Sequence, residues 1–368
     1  MSKPIRILVL TKYGSLGASS RIRFLQYLPL LQSLDMSVTV LPLLSRKQLQ
    51  TFYNNGSYKL LPLIYSYVAR SNALLQRRYY DLIWIEKEAF PWCPLWFELA
   101  LLRGTPYVLD YDDAVFHNYD RHSNAWVRHL LGSRLDGLMA NATVVVGCNQ
   151  YLAQRARDAG ALHVEILPTV IDLIRYTCKR EAPVCTTVMD EPPRIIWIGS
   201  PSTVRYLQLL REPLQALSKN QPFIFRMIGG GIVDLFGLQV EVMPWVEETE
   251  VENIRACDLG VMPLLDSPWE QGKCGYKLIQ YMACGLPVVA SPVGVNCHIV
   301  EHGVNGFLAE TPEEWEQALG TLMADANLRQ RMGLAGRSKV EQNYCVQVTA
   351  PKLIELFRVA SQVTTKGG

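Results

Sequence analysis

The chain has 368 residues, of which 49% are apolar and 19% are charged, and its formal net charge is +2. This composition excludes an intrinsically disordered chain, and the near-neutral balance without a concentrated basic stripe argues against a nucleic-acid-binding protein. The length predicts two domains, each with its own core.

The first half of the chain alternates short apolar segments with helical segments, which is the pattern of a doubly wound α/β domain. The predicted strands are residues 5–10, 38–43, 82–85, 107–109, 143–146 and 164–167. Between the second and third strands, residues 45–80 form an insertion that is predicted to be helical and is rich in tyrosine and arginine. Aromatic and basic residues together indicate an acceptor-binding or membrane-facing surface, although a core or an ordinary solvated surface explains them equally well.

A glycine loop follows the first strand and opens a helix. Gly14 and Gly17 are three residues apart, which differs from the G-x-G-x-x-G spacing, and no acidic residue closes the second strand. An NAD-binding site is therefore not expected here.

The richest polar cluster, residues 109–120, directly follows the fourth strand and contains Asp112, Asp113 and His117. Carboxylates at this end of a strand could orient sugar hydroxyls, activate an acceptor hydroxyl or bind a metal. One histidine beside several carboxylates is a weak metal pattern, so sugar or acceptor contacts are the preferred interpretation and no metal is expected. For Asp113 a simple helix cap is an equal alternative.

Residues 172–193 lose periodicity and gather prolines, which predicts an interdomain linker. A second βα series follows, with strands at 195–198, 223–228, 240–242, 259–262, 288–290 and 306–308 and helices at 203–218, 248–256, 273–284 and 313–323. The predicted domains are 1–172, a linker at 173–193, a second domain at 194–345 and a terminal segment at 346–368. A cleft between two such domains is the natural ligand site.

The segment 272–294 is predicted to contain a helix, a turn and a buried strand in succession. Lys273 and Lys277 lie in the first turns of the predicted helix, whose free backbone N–H groups favour an anion. Two cations and these donors suit a diphosphate. The run 287–290 that follows is apolar, β-branched and without alternation, as expected of a parallel strand covered on both faces.

The first turn of the second domain runs from a strand through Gly199 and Ser200 into a helix. Ser202 is the predicted N-cap, and Thr203 and Arg205 add a hydroxyl and a guanidinium that suit a phosphate. A capped helix with a solvated arginine explains this loop equally well if it stands alone. Trp245 follows a later strand and could stack on a nucleobase, although a core tryptophan is the more frequent case.

The nine cysteines form no C-x-x-C pair, which predicts a reduced, cytoplasmic protein without a zinc site. No apolar stretch approaches the ~20 residues that span a bilayer. Lys and Arg number 19 against 13 Asp and Glu through Arg175, and 17 against 21 thereafter. The basic first half suits an anionic membrane surface or a polyprenyl phosphate, or reflects ordinary scatter of surface charge.

Together these segments resemble the retaining, nucleotide-sugar-dependent glycosyltransferases of family four, which have the GT-B fold. The resemblance spans nearly the whole chain and is strongest over residues 195–308, in the segments IGSPSTVRYL, ACDLGVMPL, GKCGYKLIQYMACGLPVVASPVG and EHGVNGFLA. It implies two Rossmann-like domains facing across a cleft, donor binding chiefly in the C-terminal domain, and a final helix, at about 350–359, that returns to the N-terminal domain.

The resemblance also assigns roles by position. The family's diphosphate-holding Arg and Lys fall on Ser200 and Arg205, and Lys277 is a further diphosphate ligand. The family's paired glutamates fall on Gly272 and Gln280, of which only Gln280 can still bond the ribose through its side chain. Glu270 or Lys273 would then contact the donor sugar instead of Gly272.

In the N-terminal domain the resemblance places the loop 14–20 at the diphosphate and acceptor. The family's histidine near the donor sugar is matched by Asp112 or by His117.

The implied activity is transfer of a hexose-type residue from a UDP- or GDP-sugar to a glycan or polyprenyl-linked saccharide, with retention and without a metal. Such an enzyme would be cytoplasmic or peripheral on the membrane's inner face. Two alternatives remain: a non-catalytic GT-B scaffold that binds nucleotide or glycan, suggested by the missing glutamates, and a GT-B sugar-nucleotide epimerase or phosphorylase.

Overall fold

The structure is a computed structural model that describes residues 4–34, 36–178, 192–231 and 237–363. The chain forms two compact units. Unit 1 comprises Met1–Thr169, Gly272–Cys274 and Thr349–Gly368, and unit 2 comprises Val170–Gln271 and Gly275–Val348. Most of the predicted linker, residues 179–191, lies outside the described residues.

Unit 1 is built on a six-stranded parallel sheet with the strand order β2-β1-β3-β4-β5-β6. Every residue of β3, β4 and β5 is buried, because helices cover both faces of the sheet. The strands are β1 (Ile5–Tyr13), β2 (Met36–Leu44), β3 (Leu82–Glu86), β4 (Tyr107–Tyr111), β5 (Val144–Gly147) and β6 (Val164–Ile166). All six predicted strands are confirmed to within a few residues at their ends.

The helices of unit 1 follow the strands in alternation. They are α1 (Ala18–Arg23), α2 (Leu28–Ser33), α3 (Arg46–Asn55), α4 (Leu60–Leu75), α5 (Leu95–Leu102), α6 (His117–Asp120), α7 (Ala125–Leu131), α8 (Arg134–Ala140) and α9 (Gln150–Asp158), with 3₁₀ turns at Leu25–Tyr27 and Arg77–Tyr79. The insertion at 45–80 is helical, as predicted, and α3 begins with a capping box between Ser45 and Gln48. Asn149 caps α9 by accepting from Leu152 N at 2.9 Å.

Unit 2 contains a second six-stranded parallel sheet, with the order β12-β11-β10-β7-β8-β9. This order is the doubly wound arrangement of dinucleotide-binding folds. Its strands are β7 (Arg194–Ile198), β8 (Ile224–Ile228), β9 (Val240–Met243), β10 (Leu259–Met262), β11 (Val288–Ala290) and β12 (Gly306–Leu308). β11 is buried throughout, so the prediction of a strand covered on both faces is confirmed.

The helices of unit 2 are a 3₁₀ helix at Pro201–Leu210, α10 (Arg211–Asn220), α11 (Glu250–Arg255), α12 (Pro268–Gln271), α13 (Tyr276–Ala283), α14 (Asn296–Ile299), α15 (Pro312–Ala324) and α16 (Ala326–Asn343). The single helix predicted at 203–218 is therefore wrong, since that segment is divided between the 3₁₀ helix and α10. The sequence interpretation also missed α16.

The last helix, α17 (Val346–Gln362), is longer than predicted. From Thr349 onward it belongs to unit 1, where the Phe357 ring packs against Trp84 of β3 with centroids 4.9 Å apart. The hydroxyls of Thr349 and Tyr27 share a hydrogen bond of 2.7 Å. These contacts, all inside unit 1, tie the C-terminal residues to the face of the first sheet.

A buried charge network lies in unit 1. The Arg134 guanidinium donates to the carboxylates of Glu88 and Glu98 and to the Phe90 carbonyl, and its side chain is 1% exposed. The Tyr119 hydroxyl also donates to Glu88, at 2.8 Å. Because a buried ion needs both a partner and hydrogen bonds, this network depends on all of its members.

Two further features concern the cysteines and the helices of the described residues. Among the described residues, Cys93, Cys148, Cys257, Cys284 and Cys297 are free thiols. No helix in the described ranges combines the length and the apolarity needed to cross a bilayer.

Candidate functional site

In unit 2 the carboxyl ends of β7, β8 and β9 lie side by side, and β7 and β8 are each followed directly by a glycine. Gly199 N donates to Ile228 O and Gly229 N donates to Met243 O, both at 2.9 Å. A Cβ atom at Gly229 would lie 2.4 Å from the Gly199 carbonyl oxygen, so only glycine fits there, and its φ of +80° also favours glycine. Three backbones meet at the edge where doubly wound sheets bind their ligands.

The loop after β7 is organised by Ser200, and the prediction of Ser202 as the N-cap is wrong. Ser200 precedes the 3₁₀ helix, and its backbone N–H donates to Thr203 Oγ1 at 3.0 Å. Thr203 Oγ1 donates back to Ser200 O at 2.9 Å, and the hydroxyls of Ser200 and Ser202 are 2.9 Å apart. Because the Thr203 hydroxyl already forms hydrogen bonds within this turn, it would have to exchange them to bind the nucleotide-sugar donor as predicted.

Arg205 extends from the 3₁₀ helix, and its side chain is 65% exposed. The guanidinium donates to the Tyr206 hydroxyl at 3.1 Å and lies 3.4 Å from Glu270 Oε1. Glu270, on α12, is buried and also accepts from the hydroxyls of Tyr206 and Ser267. A buried carboxylate thus holds one edge of an exposed cation whose remaining N–H groups are available to an anion.

Lys277 lies in the first turn of α13, as predicted, with its Nζ 4.8 Å from the centroid of the Trp197 ring. Trp197 belongs to β7, so Lys277 lies beside the strand that precedes the Ser200 loop. The prediction that Lys273 lies within the same helix is wrong, because α13 starts at Tyr276 after Gly275, whose φ is +66°. Lys273 instead belongs to unit 1.

Gln280 and Trp245 are both joined to one buried network in unit 2. Gln280 Nε2 donates to the Tyr176 hydroxyl at 2.7 Å, and that hydroxyl donates to Glu250 Oε2 at 2.9 Å. Trp245 Nε1 donates to Glu250 Oε1 at 2.7 Å while its ring is half-buried against the core. A ribose bound to Gln280, as predicted, would compete with Tyr176 for the side-chain amide. The Trp245 ring packs partly against the core, and part of it stays exposed.

Introducing at Gln280 the glutamate that the family resemblance predicts there is expected to destabilise the protein. Gln280→Glu would place a second carboxylate against the Tyr176 hydroxyl, which has one proton and already donates it to Glu250. The free energy of unfolding should fall by about 1–3 kcal/mol, because a buried acceptor loses its donor beside a like charge. Urea unfolding at neutral pH measures the loss, and Gln317→Glu, at an exposed position of α15, is the control. A variant as stable as the parent would contradict the network.

In unit 1 the predicted glycine loop joins β1 to α1. Gly17 N donates to Gly14 O at 3.0 Å, and a Cβ at Gly17 would lie 2.4 Å from Tyr13 Cβ, whereas a Cβ at Gly14 would meet no atom within 4 Å. Gly17 is therefore required by packing and Gly14 is not. Ser20 Oγ accepts from Tyr13 N at 3.0 Å and donates to Glu86 Oε2 at 2.5 Å, which fastens the loop to the end of β3.

Asp112 is paired with a lysine that the sequence interpretation missed. Lys87 Nζ lies 2.7 Å from Asp112 Oδ1 and donates to Ser19 Oγ at 3.0 Å. Burial opposes the charge of both partners, but their attraction outweighs it, so the pKa of Lys87 is raised and that of Asp112 is lowered. Lys87 has a φ of +63°, an uncommon conformation for a lysine directly after a strand.

His117 and Asp113 have other neighbours. The ring nitrogens of His117 lie 2.8 Å from Asp120 Oδ1 and 2.8 Å from the Tyr151 hydroxyl. Both ring nitrogens are therefore occupied inside unit 1. Asp113 does not cap α6, so that alternative is wrong. Burial raises the pKa of Asp113, although Lys273 Nζ lies 3.5 Å from its Oδ2.

Unit 1 also contains a cavity, and the described residues hold no cluster of metal-binding side chains. Among the described residues, no three His, Cys, Asp or Glu side chains are grouped to hold a metal ion. A cavity of about 500 Å³ in unit 1 is lined by residues in and next to β6 and on α17, including His163, Glu165, Lys352 and Val359. None of the predicted site residues is among its described lining residues.

Comparisons with known proteins assign a family to the part of the chain that contains the loop after β7. A family model described as glycosyl transferases group 1 matches residues 192–325. Residues 192–325 are a group 1 glycosyltransferase domain. This domain contains Ser200, Arg205, Glu270 and Lys277, and Gln280 as well.

Curated relatives match parts of the chain around this glycosyltransferase domain. Spore coat protein SA of Bacillus subtilis (strain 168) is 30% identical over an alignment of 183 residues, which covers 44% of this chain and 48% of that protein. D-inositol 3-phosphate glycosyltransferase of Paenarthrobacter aurescens (strain TC1) is 32% identical over 108 residues, which are 29% of this chain and 25% of that protein. The chain thus spans about half, or less, of the length of these relatives.

Solved structures match the fold of nearly the whole chain. Anabaena HepE superposes with a TM-score of 0.66 at 18% identity, covering 96% of this chain and 100% of that chain. Sucrose-phosphate synthase of Thermosynechococcus elongatus gives a TM-score of 0.69 at 15% identity, covering 96% and 98%. The predicted fold class, α/β with two doubly wound Rossmann-like domains of the GT-B type, is confirmed.

Several residues around the glycosyltransferase domain and in unit 1 escaped the sequence interpretation. Glu86 and Lys87 follow a predicted strand as one acidic and one basic residue, which is a weak signal. Gly229 begins a run of three glycines after β8, and that run was a usable signal for a close backbone approach. The roles of the predicted site residues remain predictions.

Proposed function

We propose that the protein is a retaining glycosyltransferase that moves a sugar from a UDP- or GDP-sugar to a glycan or polyprenyl-linked saccharide. The observation that carries the proposal is the pairing, within a group 1 glycosyltransferase domain, of an exposed Arg205 with the glycine-lined ends of β7 and β8 and with Lys277. Cations beside glycine turns, where the lack of side chains lets a phosphate approach the backbone, suit a diphosphate.

Named relatives support the nucleotide-sugar donor. HepE was crystallised with UDP and with UDP-glucose, and Staphylococcus aureus TarM with UDP, fondaparinux and alpha-GlcNAc-glycerol. Several curated relatives are D-inositol 3-phosphate glycosyltransferases. We extend the donor class to this chain, and we propose cell-surface polysaccharide synthesis at the cytoplasmic side of a membrane as its setting.

The proposed chemistry follows from charge. When the nucleoside diphosphate leaves, negative charge grows on the phosphates and positive charge grows at the anomeric carbon. Arg205, Lys277 and the N-terminus of α13 would stabilise the leaving group electrostatically, so we propose that no metal is needed. Same-face attack would give retention, with the leaving phosphate taking the acceptor proton, and Asp112 or His117 would lie at the acceptor side.

The test is a calorimetric titration with UDP, GDP, ADP and NAD, followed by a donor-hydrolysis assay with the sugar nucleotides of the base that binds. We expect one nucleoside diphosphate to bind selectively, and Arg205→Ala with Lys277→Ala to lose that binding and the turnover. The matched control is Lys219→Ala with Arg331→Ala, which removes two exposed cations of unit 2. Unchanged turnover in the first double variant would refute the assigned site.

A non-catalytic scaffold is the second candidate, because neither family glutamate position carries a carboxylate. Gly272 is crowded, since a Cβ there would lie 2.5 Å from Ala114 Cβ, and Gln280 is committed to Tyr176. Nucleotide-sugar binding without hydrolysis or transfer to any acceptor tried would favour the scaffold. Turnover with the expected loss in the double variant would exclude it.

A further inference from the structure

The helix α4 presents an apolar stripe to solvent. Six of its large apolar side chains are exposed, with Leu61 at 79% and Tyr65 at 75%. The six are Leu60, Leu61, Ile64, Tyr65, Val68 and Leu75. At about 100° per residue they fall within roughly 140° of the helix circumference, so they form one face and not a scatter of single residues.

The opposite face of α4 is fixed to unit 1. Arg70 is buried and donates to the carbonyl oxygens of Leu41 at 2.6 Å and Ala89 at 3.1 Å, and it also donates to Thr11 O. The Tyr67 hydroxyl donates to Pro91 O at 2.8 Å. Because these bonds set the rotation of the helix, the apolar stripe cannot turn inward without breaking them.

The charge of the surrounding segment has one sign. Residues 45–80 contain six Lys or Arg and no Asp or Glu. Arg70 is the buried one, and the exposed ones are Arg46, Lys47, Lys59 and Arg78, with Arg77 half-buried. Lys59 directly precedes α4 and Arg78 follows its end, so cations flank the apolar stripe at both ends.

We propose that the exposed face of α4 is a docking surface for an anionic lipid bilayer. An apolar helical face flanked by Lys and Arg lies in the headgroup region, with the aliphatic side chains at the acyl boundary and the cations at the phosphates. Leucine and isoleucine supply the buried area, and Tyr65 suits the interface because its ring is apolar and its tip polar. An acidic protein surface could satisfy the cations, but it offers no apolar layer for six side chains.

This inference goes beyond the proposed transfer reaction and does not depend on it, since α4 contains none of the residues assigned to the nucleotide site. It predicts where the chain would meet a membrane-bound acceptor if the transfer proposal is right. Lipid binding and nucleotide binding are therefore measured separately on the same protein.

The experiment is co-sedimentation of the full chain with phosphatidylcholine vesicles, with and without phosphatidylglycerol. We expect binding to the anionic vesicles that weakens as salt is added, because the flanking cations are screened. Leu61→Gln with Tyr65→Gln should weaken binding by about tenfold or more, since two large side chains no longer enter the acyl boundary. Lys59→Gln with Arg78→Gln should weaken binding to anionic vesicles and remove most of its salt dependence.

Matched controls keep the test specific. Leu162→Gln with Ile174→Gln removes two apolar side chains that are 95% and 84% exposed elsewhere, and should leave vesicle binding unchanged. Arg157→Gln with Lys219→Gln is the corresponding control for charge. Thermal unfolding and nucleotide titration of each variant show that it is folded. No binding of the parent chain to anionic vesicles at low salt, or equal losses in the α4 and control variants, would overturn the proposal.

Discussion

Arg134→Met is expected to lower the free energy of unfolding by about 3–5 kcal/mol, the largest loss of stability that we predict for a single substitution. The Arg134 side chain is 1% exposed and is bonded to Glu88, Glu98 and the Phe90 carbonyl. Methionine fills much of the volume but leaves two carboxylates without their counter-ion in the interior. Urea unfolding monitored by near-ultraviolet circular dichroism measures the change.

Two comparisons make this result specific. Arg157→Met removes an exposed arginine of unit 1 and should change the stability by no more than ~0.5 kcal/mol. Adding Glu88→Gln and Glu98→Gln to Arg134→Met should recover part of the loss, because the buried charges are then removed together. If the triple variant is no more stable than Arg134→Met, the loss does not come from uncompensated charge.

The pH dependence of the same network has a defined sign. Burial raises the pKa of Glu98 from its ordinary 4.5 to about 7, despite the attraction of Arg134. Between these values the folded chain binds more protons than the unfolded chain, so this carboxyl makes stability fall as the pH rises through the window. Without Arg134 the folded pKa rises further, and the deficit of Arg134→Met should therefore be smaller at pH 5 than at pH 8.

Glu270→Ala is expected to lower kcat/KM for the proposed transfer by about 100-fold, the largest functional effect that we predict for a single residue. Glu270 acts here as a positioning residue, since it accepts hydrogen bonds from Tyr206 and Ser267 and holds one edge of the Arg205 guanidinium. Alanine at position 270 removes the carboxylate that holds the Arg205 guanidinium, so the guanidinium is no longer held in place to bind the diphosphate.

Glu270→Gln separates position from charge. The amide keeps an acceptor for Tyr206 and Arg205 but loses the negative charge, so we expect an intermediate loss that appears mainly in kcat. Glu248→Ala, at an exposed acidic residue of unit 2, should have no effect. Loss of thermal stability without any change in kcat/KM would show that Glu270 has only a structural role.

The resemblance assigns the family's paired glutamates to Gly272 and Gln280, and the structure shows the limits of assigning roles by sequence position alone. Matching the segment 272–294 by position put one glutamate on Gly272, where the structure leaves no room for a side chain next to Ala114. The buried carboxylate lies two residues earlier, at Glu270, on a four-residue helix that the sequence did not predict. It accepts hydrogen bonds from Ser267, three residues earlier, and from Tyr206, which is 64 residues away and whose contact is not visible in a linear pattern.

The sequence by itself determined all twelve strands, the two doubly wound halves and the place of Arg205 and Lys277 after β7 and at the start of α13. Apolar runs and glycine turns are local signals, so they predict strands and turns without knowledge of distant contacts. Only the tertiary structure decided which polar groups pair: Lys87 with Asp112, Arg134 with Glu88 and Glu98, Gln280 with Tyr176. These partners are 25 to 104 residues apart or lie on different elements, and buried charges and amides choose partners by proximity in the fold.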